Sequence, residues 1–212
     1  MEAVLFDLDG TLLDTSKGVI ESFFFVTQKL GYPDVSIYDV KEMIGSPVQK
    51  WFIKFFGVSS EIAQEAANLF REYYLIYATT KADIYPGVLE LLDILSKKRI
   101  SIAVATYKRE DCAIAMLNHF GIAKYCSSIH GADNFDKLTK SDIIDICLDE
   151  LNIERKKVVY VGDTMHDALG AQNAGINFIG VTYGIGFKQL ERKNKYPCLG
   201  VVDNIIEIAK LI

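Results

Sequence analysis

The sequence has little of what marks metal-cluster proteins and disulfide-rich proteins. Its four cysteines are far apart and form no CxxC pair, and its three histidines are equally scattered. This spacing argues against a cysteine–histidine metal site and against a disulfide framework. Lone cysteines with mostly apolar neighbours are typical of a reducing cytoplasm. We therefore expect Cys112, Cys126, Cys147 and Cys198 to be small core residues rather than nucleophiles.

Long apolar runs and basic stretches are also missing. The longest apolar stretches have the length of a strand or of one helix face, so we expect no membrane span. The N-terminus lacks the basic region and long apolar core of a signal peptide. The net charge is −5, with both signs mixed along the chain, which argues against binding of a nucleic acid polymer. We expect a cytoplasmic protein that is a monomer or a weak homodimer.

Apolar residues, by contrast, are plentiful. The chain has 212 residues, of which 50% are hydrophobic, enough for a substantial core and a second small domain. Strand-like and helix-like segments alternate, which predicts an α/β domain with a mainly parallel sheet. The best strand candidates are short apolar runs followed by polar or glycine-containing turns, at 3–8, 100–105, 157–161 and 178–181.

Helical patterns lie between these strands. After Pro86, apolar residues recur at the spacing of one helix face. Thr139 or Ser141 can cap a helix that runs through SDIIDICLDEL. The tail DNIIEIAKLI predicts a closing helix that begins at Asp203.

Residues 17–80 differ from the rest because they contain no good strand. They predict a run of helices, punctuated by glycine and proline at positions 31, 33, 45, 47 and 57. This segment follows the first strand directly. We interpret 17–80 as an all-helical second domain, or cap, inserted into a core domain made of 1–16 and 81–212.

The first strand candidate ends in two carboxylates. Asp7 and Asp9 are separated by Leu8 and followed by Gly10 and Thr11. A spacing of two puts both side chains on the same side of an extended segment. Two carboxylates at close range repel each other, and a divalent cation with oxygen ligands, such as Mg²⁺, would compensate that repulsion.

Three further polar signals occupy comparable positions. Thr106 follows the second strand candidate and offers a hydroxyl to a phosphate oxygen. Lys140 stands at the start of a helix, where an ammonium can hold an anion. Asp163 ends a strand, and Asp167 lies one helical turn further on. Because ligands of doubly wound sheets bind at the carboxyl ends of the strands, we expect these groups to meet in one crevice.

These residues resemble a known family. The sequences DLDGT at 7–11, VAT at 104–106, the isolated Lys140 and GDTMHD at 162–167 match, in order, the four motifs of the haloacid dehalogenase-like hydrolases. The helical insertion after the first motif resembles the subgroup with a cap at that point. IGSPVQKWF at 44–52 is similar to the cap segment of the phosphoglycolate phosphatase-like branch. The resemblance implies a Rossmann-like core of three α/β/α layers.

The resemblance also implies a reaction on a small phosphorylated metabolite. Asp7 would be the nucleophile that attacks phosphorus and forms an aspartyl-phosphate. Asp9 would protonate the leaving alcohol and then deprotonate the hydrolytic water. Mg²⁺ would be held by the Asp7 carboxylate, the Asp9 backbone carbonyl and Asp163.

Other matched residues would support this chemistry. Thr106 and Lys140 would hold the phosphoryl oxygens, together with the residues Leu8 and Tyr107. Asp167 would orient Lys140 or a metal-bound water.

Gly10 would let the chain turn away from the strand, with Thr11 beside it. In the cap segment, the resemblance implies that Gly45, Ser46 and Pro47 contact the substrate.

Some questions stay open at the level of sequence. Tyr107 stands where many relatives carry Asn, and Ser141 follows Lys140 where many carry proline. Lys137 is a second candidate for the phosphate-binding lysine. A β-phosphoglucomutase-like phosphomutase, a nucleotidase or a pyrophosphatase fits the same motifs. A non-catalytic phosphate-binding protein on the same scaffold is a further alternative.

Overall fold

The computed structural model describes residues 1–186 and 198–212. Their strands form a six-stranded sheet and a separate two-stranded pair. In chain order they are β1 (Ala3–Phe6), β2 (Leu13–Asp14), β3 (Asp83–Ile84), β4 (Ser101–Arg109), β5 (Ser128–Ala132), β6 (Val158–Gly162), β7 (Asn177–Val181) and β8 (Gly200–Val202). The large sheet has the order β5-β4-β1-β6-β7-β8, and every neighbouring pair in it is parallel.

The four strand candidates from the sequence are the four inner strands of this sheet. β1, β4, β6 and β7 are covered on both faces, so their residues form the continuous apolar runs that sequence patterns detect. β5 and β8 were not predicted. They form the two edges of the sheet, and β5 contains the polar His130 and Gly131, which interrupt an apolar strand pattern.

The α-helices alternate with the strands after residue 84. In chain order they are α1 (Ser16–Leu30), α2 (Ile37–Met43), α3 (Val48–Phe56), α4 (Ser60–Tyr73), α5 (Val88–Lys97), α6 (Glu110–His119), α7 (Lys140–Leu151) and α8 (Met165–Asn173). Thr139 caps α7 as predicted, in a capping box with Asp142. The tail is a 3-10 helix over Ile205–Lys210, and it begins after Asp203 because the side chain of Asn204 caps it by accepting the Ile206 N–H. None of the helices described is long and apolar enough to cross a membrane.

Helices cover both faces of the large sheet. Alternate residues of β1 point to opposite sides, so that Val4 and Phe6 pack in one apolar cluster with α5 and α6. Ala3 and Leu5 pack in the other cluster with α7 and α8. The predicted α/β/α arrangement with a parallel sheet is therefore confirmed. Cys112 and Cys147 are buried in these clusters, and all four cysteines are free.

The helices α1–α4 are inserted between β2 and β3, and we call them the helical insertion. Its centre is Phe23, whose ring lies 5.4–6.3 Å from the rings of Trp51, Phe52, Phe55 and Phe56. β2 and β3 pair in an antiparallel manner, Leu13 with Ile84. The chain therefore enters and leaves the helical insertion side by side.

Candidate active site

The carboxyl ends of the central strands bring the predicted polar residues together. Asp7 follows β1 directly, and Asp163 follows β6 directly. Thr106 lies in β4, whose pairing with β5 is regular up to Ala105 and then shifts in register before Arg109. Such irregularities occur next to active sites because they turn side chains out of the regular ladder.

Of the two predicted candidates, Lys140 and Lys137, it is Lys140 that reaches this crevice. Its Nζ lies 2.7 Å from Oδ1 of Asp7 and 2.9 Å from Oδ1 of Asp167, and its side chain is 3% exposed. Lys137, the second candidate, is exposed and places its ammonium over the ring of Phe135. The capping of α7 by Thr139 fixes the start of the helix, which points Lys140 at the strand ends.

Three buried carboxylates meet beside this ammonium. Asp7, Asp163 and Asp167 each offer one oxygen, and these oxygens lie within 4.8 Å of one another. Burial raises the pKa of Asp7 to about 7, against the opposing effect of Lys140, and Asp167 adds to the rise. Burial and the two neighbouring carboxylates raise the pKa of Asp163 well above its ordinary value. A divalent cation with oxygen ligands fits this donor set and would relieve the crowding of charge.

Asp163 is held by backbone groups from a second loop. Its Oδ2 accepts hydrogen bonds from Ile185 N–H at 2.6 Å and Gly186 N–H at 3.1 Å, and Thr11 donates to its Oδ1 at 3.4 Å. The helix α8 is capped by Thr164, not by Asp163. The carboxylate of Asp163 therefore does not act as the cap of this helix.

The glycine of the DLDGT motif is required by this arrangement. Gly10 has φ +83°, which L side chains rarely adopt, and an added Cβ would lie 2.3 Å from Oδ2 of Asp163. The turn after β1 therefore brings the backbone against Asp163 only because residue 10 lacks a side chain.

Asp9 does not join the acidic cluster. Its Oδ1 accepts a hydrogen bond from Thr15 Oγ1 at 2.6 Å and lies 3.1 Å from Lys108 Nζ. Burial disfavours the charge on Lys108, but Asp9 together with Tyr74 and Cys112 outweighs this effect and raises the pKa of Lys108. The Lys108 ammonium also lies 4.2 Å from the ring centre of Tyr74, in the π-helix Tyr74–Ala78 that follows α4. Lys108 is not among the site residues predicted from the sequence. Lys108 lies two residues after Thr106, and residues at this spacing point to the same side of an extended strand. This spacing could have indicated that Lys108 belongs to the site.

Two tyrosines enclose Lys140. Its Nζ lies 5.1 Å from the ring centre of Tyr107 and 5.7 Å from that of Tyr160. The Tyr107 hydroxyl accepts the backbone N–H of Lys140 at 2.9 Å, and Nζ donates to the Tyr160 hydroxyl at 3.2 Å. Tyr160 in turn donates to the carbonyl of Ala105. Tyr160 had no signal in the sequence, because it lies within an apolar strand.

A cavity lies between the helical insertion and the strand ends. Asp9, Thr106 and Lys108 line it from the sheet side, and Gly45 and Ser46 line it from the helical insertion. Pro47, which was predicted with them, is buried at the start of α3 and is not among the lining residues. The hydroxyl of Ser46 is already engaged, since it donates to the Met43 carbonyl and accepts from Trp51 Nε1.

Together these residues can hold a phosphoryl group. A hydroxyl, an ammonium and carboxylates that can bind a cation surround the end of β1, and a cavity beside them can take the rest of a small molecule. Leu8, between the two aspartates, is fully buried and fixes the backbone of the motif.

Comparison with known proteins identifies the family of this chain. A family model described as "Haloacid dehalogenase-like hydrolase" matches residues 4–181. A 5'-nucleotidase of Pseudomonas aeruginosa is 32% identical over 184 residues, which cover 86% of this chain and 83% of that protein. A phosphoglycolate phosphatase of Agrobacterium fabrum is 30% identical over 187 residues, covering 85% and 80% of the two chains.

Solved structures with a similar fold also include phosphatases. The crystal structure of a predicted phosphatase from Clostridium acetobutylicum has a TM-score of 0.90 and 28% sequence identity, and the match covers 99% of this chain and 96% of that one. The fold, the order of the motifs and these relatives agree. This chain is an enzyme that belongs to the haloacid dehalogenase-like hydrolases, and it is similar to their phosphatases.

Proposed function

We propose that this protein is a Mg²⁺-dependent phosphatase that hydrolyses a small phosphomonoester through an aspartyl-phosphate on Asp7. The observation that supports this most is the meeting of Asp7, Asp163, Asp167 and Lys140 at the carboxyl ends of β1 and β6. A buried carboxylate beside an ammonium and a candidate cation site has the surroundings that a phosphoryl-accepting nucleophile needs.

The reaction takes place in two displacements. In the first, an oxygen of Asp7 attacks phosphorus, the bond from phosphorus to the ester oxygen breaks, and Asp9 gives its proton to the leaving alcohol. In the second, a water molecule attacks the phosphorus of the aspartyl-phosphate. Asp9 takes a proton from this water, the bond from phosphorus to the Asp7 oxygen breaks, and inorganic phosphate leaves.

Asp7, Asp163 and the backbone carbonyl of Asp9 would hold the cation. Mg²⁺, when bound, would supply positive charge that offsets the repulsion between the Asp7 carboxylate and the phosphoryl group. Asp167 keeps its ion pair with Lys140, 2.9 Å from Oδ1 to Nζ, and so fixes the ammonium.

Thr106 and Lys140 would bind the phosphoryl oxygens that the cation leaves free. The backbone N–H groups of Leu8 and Tyr107 would complete this cradle. These are positioning and electrostatic contributions, which account for most of the catalysis of phosphoryl transfer.

We propose that the helical insertion, residues 17–80, acts as a cap domain on a core of 1–16 and 81–212. The antiparallel pair of β2 and β3 joins the two parts, so bending near 14–18 and 81–87 would open the cavity. Closure would exclude water during the first displacement, and opening would release the product. Identical cap angles in free and phosphate-analogue-bound crystals, with the site open in both, would contradict this.

Our first choice of activity is that of a phosphoglycolate phosphatase, and our second is that of a nucleotidase. The first is supported by the Agrobacterium relative and the second by the Pseudomonas relative, which have similar identities to this chain.

Phosphate release from a panel of phosphomonoesters tests the function. The panel contains phosphoglycolate, sugar phosphates, nucleoside monophosphates, pyrophosphate and p-nitrophenyl phosphate, each with Mg²⁺ and with EDTA. Release that requires Mg²⁺ supports a phosphatase, and the ranking of substrates gives the class. If no compound releases phosphate, the proposal of a phosphatase is wrong. A test for phosphate exchange between glucose phosphates then distinguishes a phosphomutase from a phosphate-binding protein.

A further inference from the structure

Arg71 of α4 carries a charge in the cavity wall that neither the fold nor the proposed reaction uses. Its side chain lines the cavity that Asp9 and Thr106 also line, and the residue is 6% exposed. One terminal nitrogen donates to the carbonyl of Asn134 at 2.6 Å and to its side-chain oxygen at 3.1 Å. The other donates to Gln49 Oε1 at 3.1 Å. All three acceptors are neutral.

The two other cations of the cavity wall each have a carboxylate. Lys108 pairs with Asp9 at 3.1 Å, and Arg109 pairs with Asp111 at 2.6 Å. Within residues 1–186 and 198–212, Arg71 has no carboxylate at ion-pair distance. Burial, with the nearby Arg109, lowers the pKa of Arg71, and Asp133 and Asp136, which lie beyond ion-pair distance, oppose this only in part. A buried charge without a partner is costly, so a protein that keeps one there generally uses it.

Attachment of the helical insertion to the sheet does not explain this charge. The carbonyl of Asn134, in the loop after β5, also accepts from Gln64 Nε2 at 2.9 Å and Gln49 Nε2 at 3.3 Å. These neutral amides from α3 and α4 already dock the helical insertion on that loop. A third amide would serve the same purpose without the cost of a buried cation.

The geometry points to Arg71 as the residue that recognises a second anionic group, a carboxylate or a phosphoryl group, on the leaving part of the substrate. This inference rests on the proposed function, since it takes the phosphoryl group to lie beside Asp7 and Lys140. The leaving group then extends past Asp9 into the cavity towards Arg71. A guanidinium has five N–H donors, of which three have acceptors among the described residues. The remaining two, Nε–H and one terminal N–H, can bind an anionic group in the two-pronged manner that arginine favours.

Two substrates that differ only at the far end provide the test. 2-Phosphoglycolate ends in a carboxylate, and 2-hydroxyethyl phosphate ends in a neutral hydroxymethyl group. We expect the wild type to prefer phosphoglycolate in kcat/KM by roughly 10- to 100-fold, and Arg71→Gln to lower this ratio at least about tenfold. Arg71→Lys should retain part of the preference. Arg155→Gln, which removes an exposed arginine paired with Asp145, is the control and should leave the ratio unchanged.

Pyrophosphate distinguishes the two kinds of anion. Its leaving group is itself a phosphoryl group, so a preference for pyrophosphate over phosphoglycolate that depends on Arg71 would assign the second group as phosphate. An equal loss of activity by Arg71→Gln on charged and neutral substrates would overturn the inference and leave Arg71 a docking residue.

A binding measurement separates this inference from the proposed function. Trp51, the single tryptophan of the chain, lines the same cavity, so its fluorescence should report occupancy. We would titrate 3-phosphonopropionate and 3-hydroxypropylphosphonate, which match the two substrates but cannot be hydrolysed at an ester oxygen. Tighter binding of the first that is lost in Arg71→Gln supports the inference even if no ester is hydrolysed, in which case the proposed function alone fails. Equal affinity for both compounds in the wild type would refute the inference.

Discussion

Lys108 Nζ lies 3.1 Å from Oδ1 of Asp9, and both side chains are less than a tenth exposed. The other aspartate of the motif, Asp7, has Lys140 as its partner. Asp7 and Asp9 therefore pair with different lysines. Lys140 lies at the start of α7, and Lys108 lies in β4. The side chain of Asp9 therefore lies apart from the cluster of Asp7, Asp163 and Asp167, whose oxygens lie within 4.8 Å of one another.

Lys108→Met should destabilise the protein and lower turnover. The substitution leaves Asp9 buried with Thr15 as its remaining side-chain partner, and removing one member of a buried pair costs about 3–5 kcal/mol. Urea unfolding measures this loss. Lys97→Met is the control, because the Lys97–Asp93 pair is exposed and should be worth less than about 1 kcal/mol. Equal effects of the two substitutions would contradict the special position of Lys108.

Asp7→Asn should abolish turnover while the fold survives. The amide cannot accept a phosphoryl group, so we expect kcat to fall by at least about 10³-fold. Circular dichroism should show that the helices remain. Asp93→Asn, an exposed carboxylate on α5, is the control and should retain wild-type turnover. Near-normal turnover of Asp7→Asn would remove Asp7 as the nucleophile.

Removal of Mg²⁺ should stop phosphate release, and Asp163→Asn should raise the Mg²⁺ concentration needed to restore it. Asp163 offers one of three carboxylate oxygens that lie within 4.8 Å of one another, and loss of a charged ligand weakens binding of a hard cation. A rise of the melting temperature on addition of Mg²⁺ provides a readout that does not depend on turnover. The proposed site is wrong if Asp163→Asn binds Mg²⁺ as tightly as the wild type does.

Gly10→Ala should lower the activity of the enzyme in addition to destabilising its fold. The new methyl group would lie 2.3 Å from Oδ2 of Asp163, which must therefore move. Gly31→Ala is a matched control, since Gly31 also has positive φ but nothing within 4 Å of the added Cβ. We expect both variants to lose about 1–2 kcal/mol of unfolding free energy from backbone strain. Only Gly10→Ala should also lose activity, and equal kcat/KM values in the two variants would contradict this role.

Most of the fold could be predicted because its evidence is local. β1, β4, β6 and β7 are buried on both faces and therefore appear as continuous apolar runs. The edge strand β5, with His130 and Gly131, has no such pattern, and β8 is only three residues long. The helix start at Thr139 was predictable because a capping residue acts on its own next turn.

The sequence by itself determined which groups stand at the ends of the predicted strands: Asp7, Thr106 and Asp163, with Lys140 at a helix start. Their motif order is a property of the chain, and parallel strands that end at one edge bring such groups together. Only the tertiary structure decided what surrounds them. It pairs Lys108 with Asp9, encloses Lys140 between two tyrosines, and brings Arg71 of α4 against the loop after β5. These contacts join segments distant in sequence, and their energies depend on burial and distance, which no local pattern encodes.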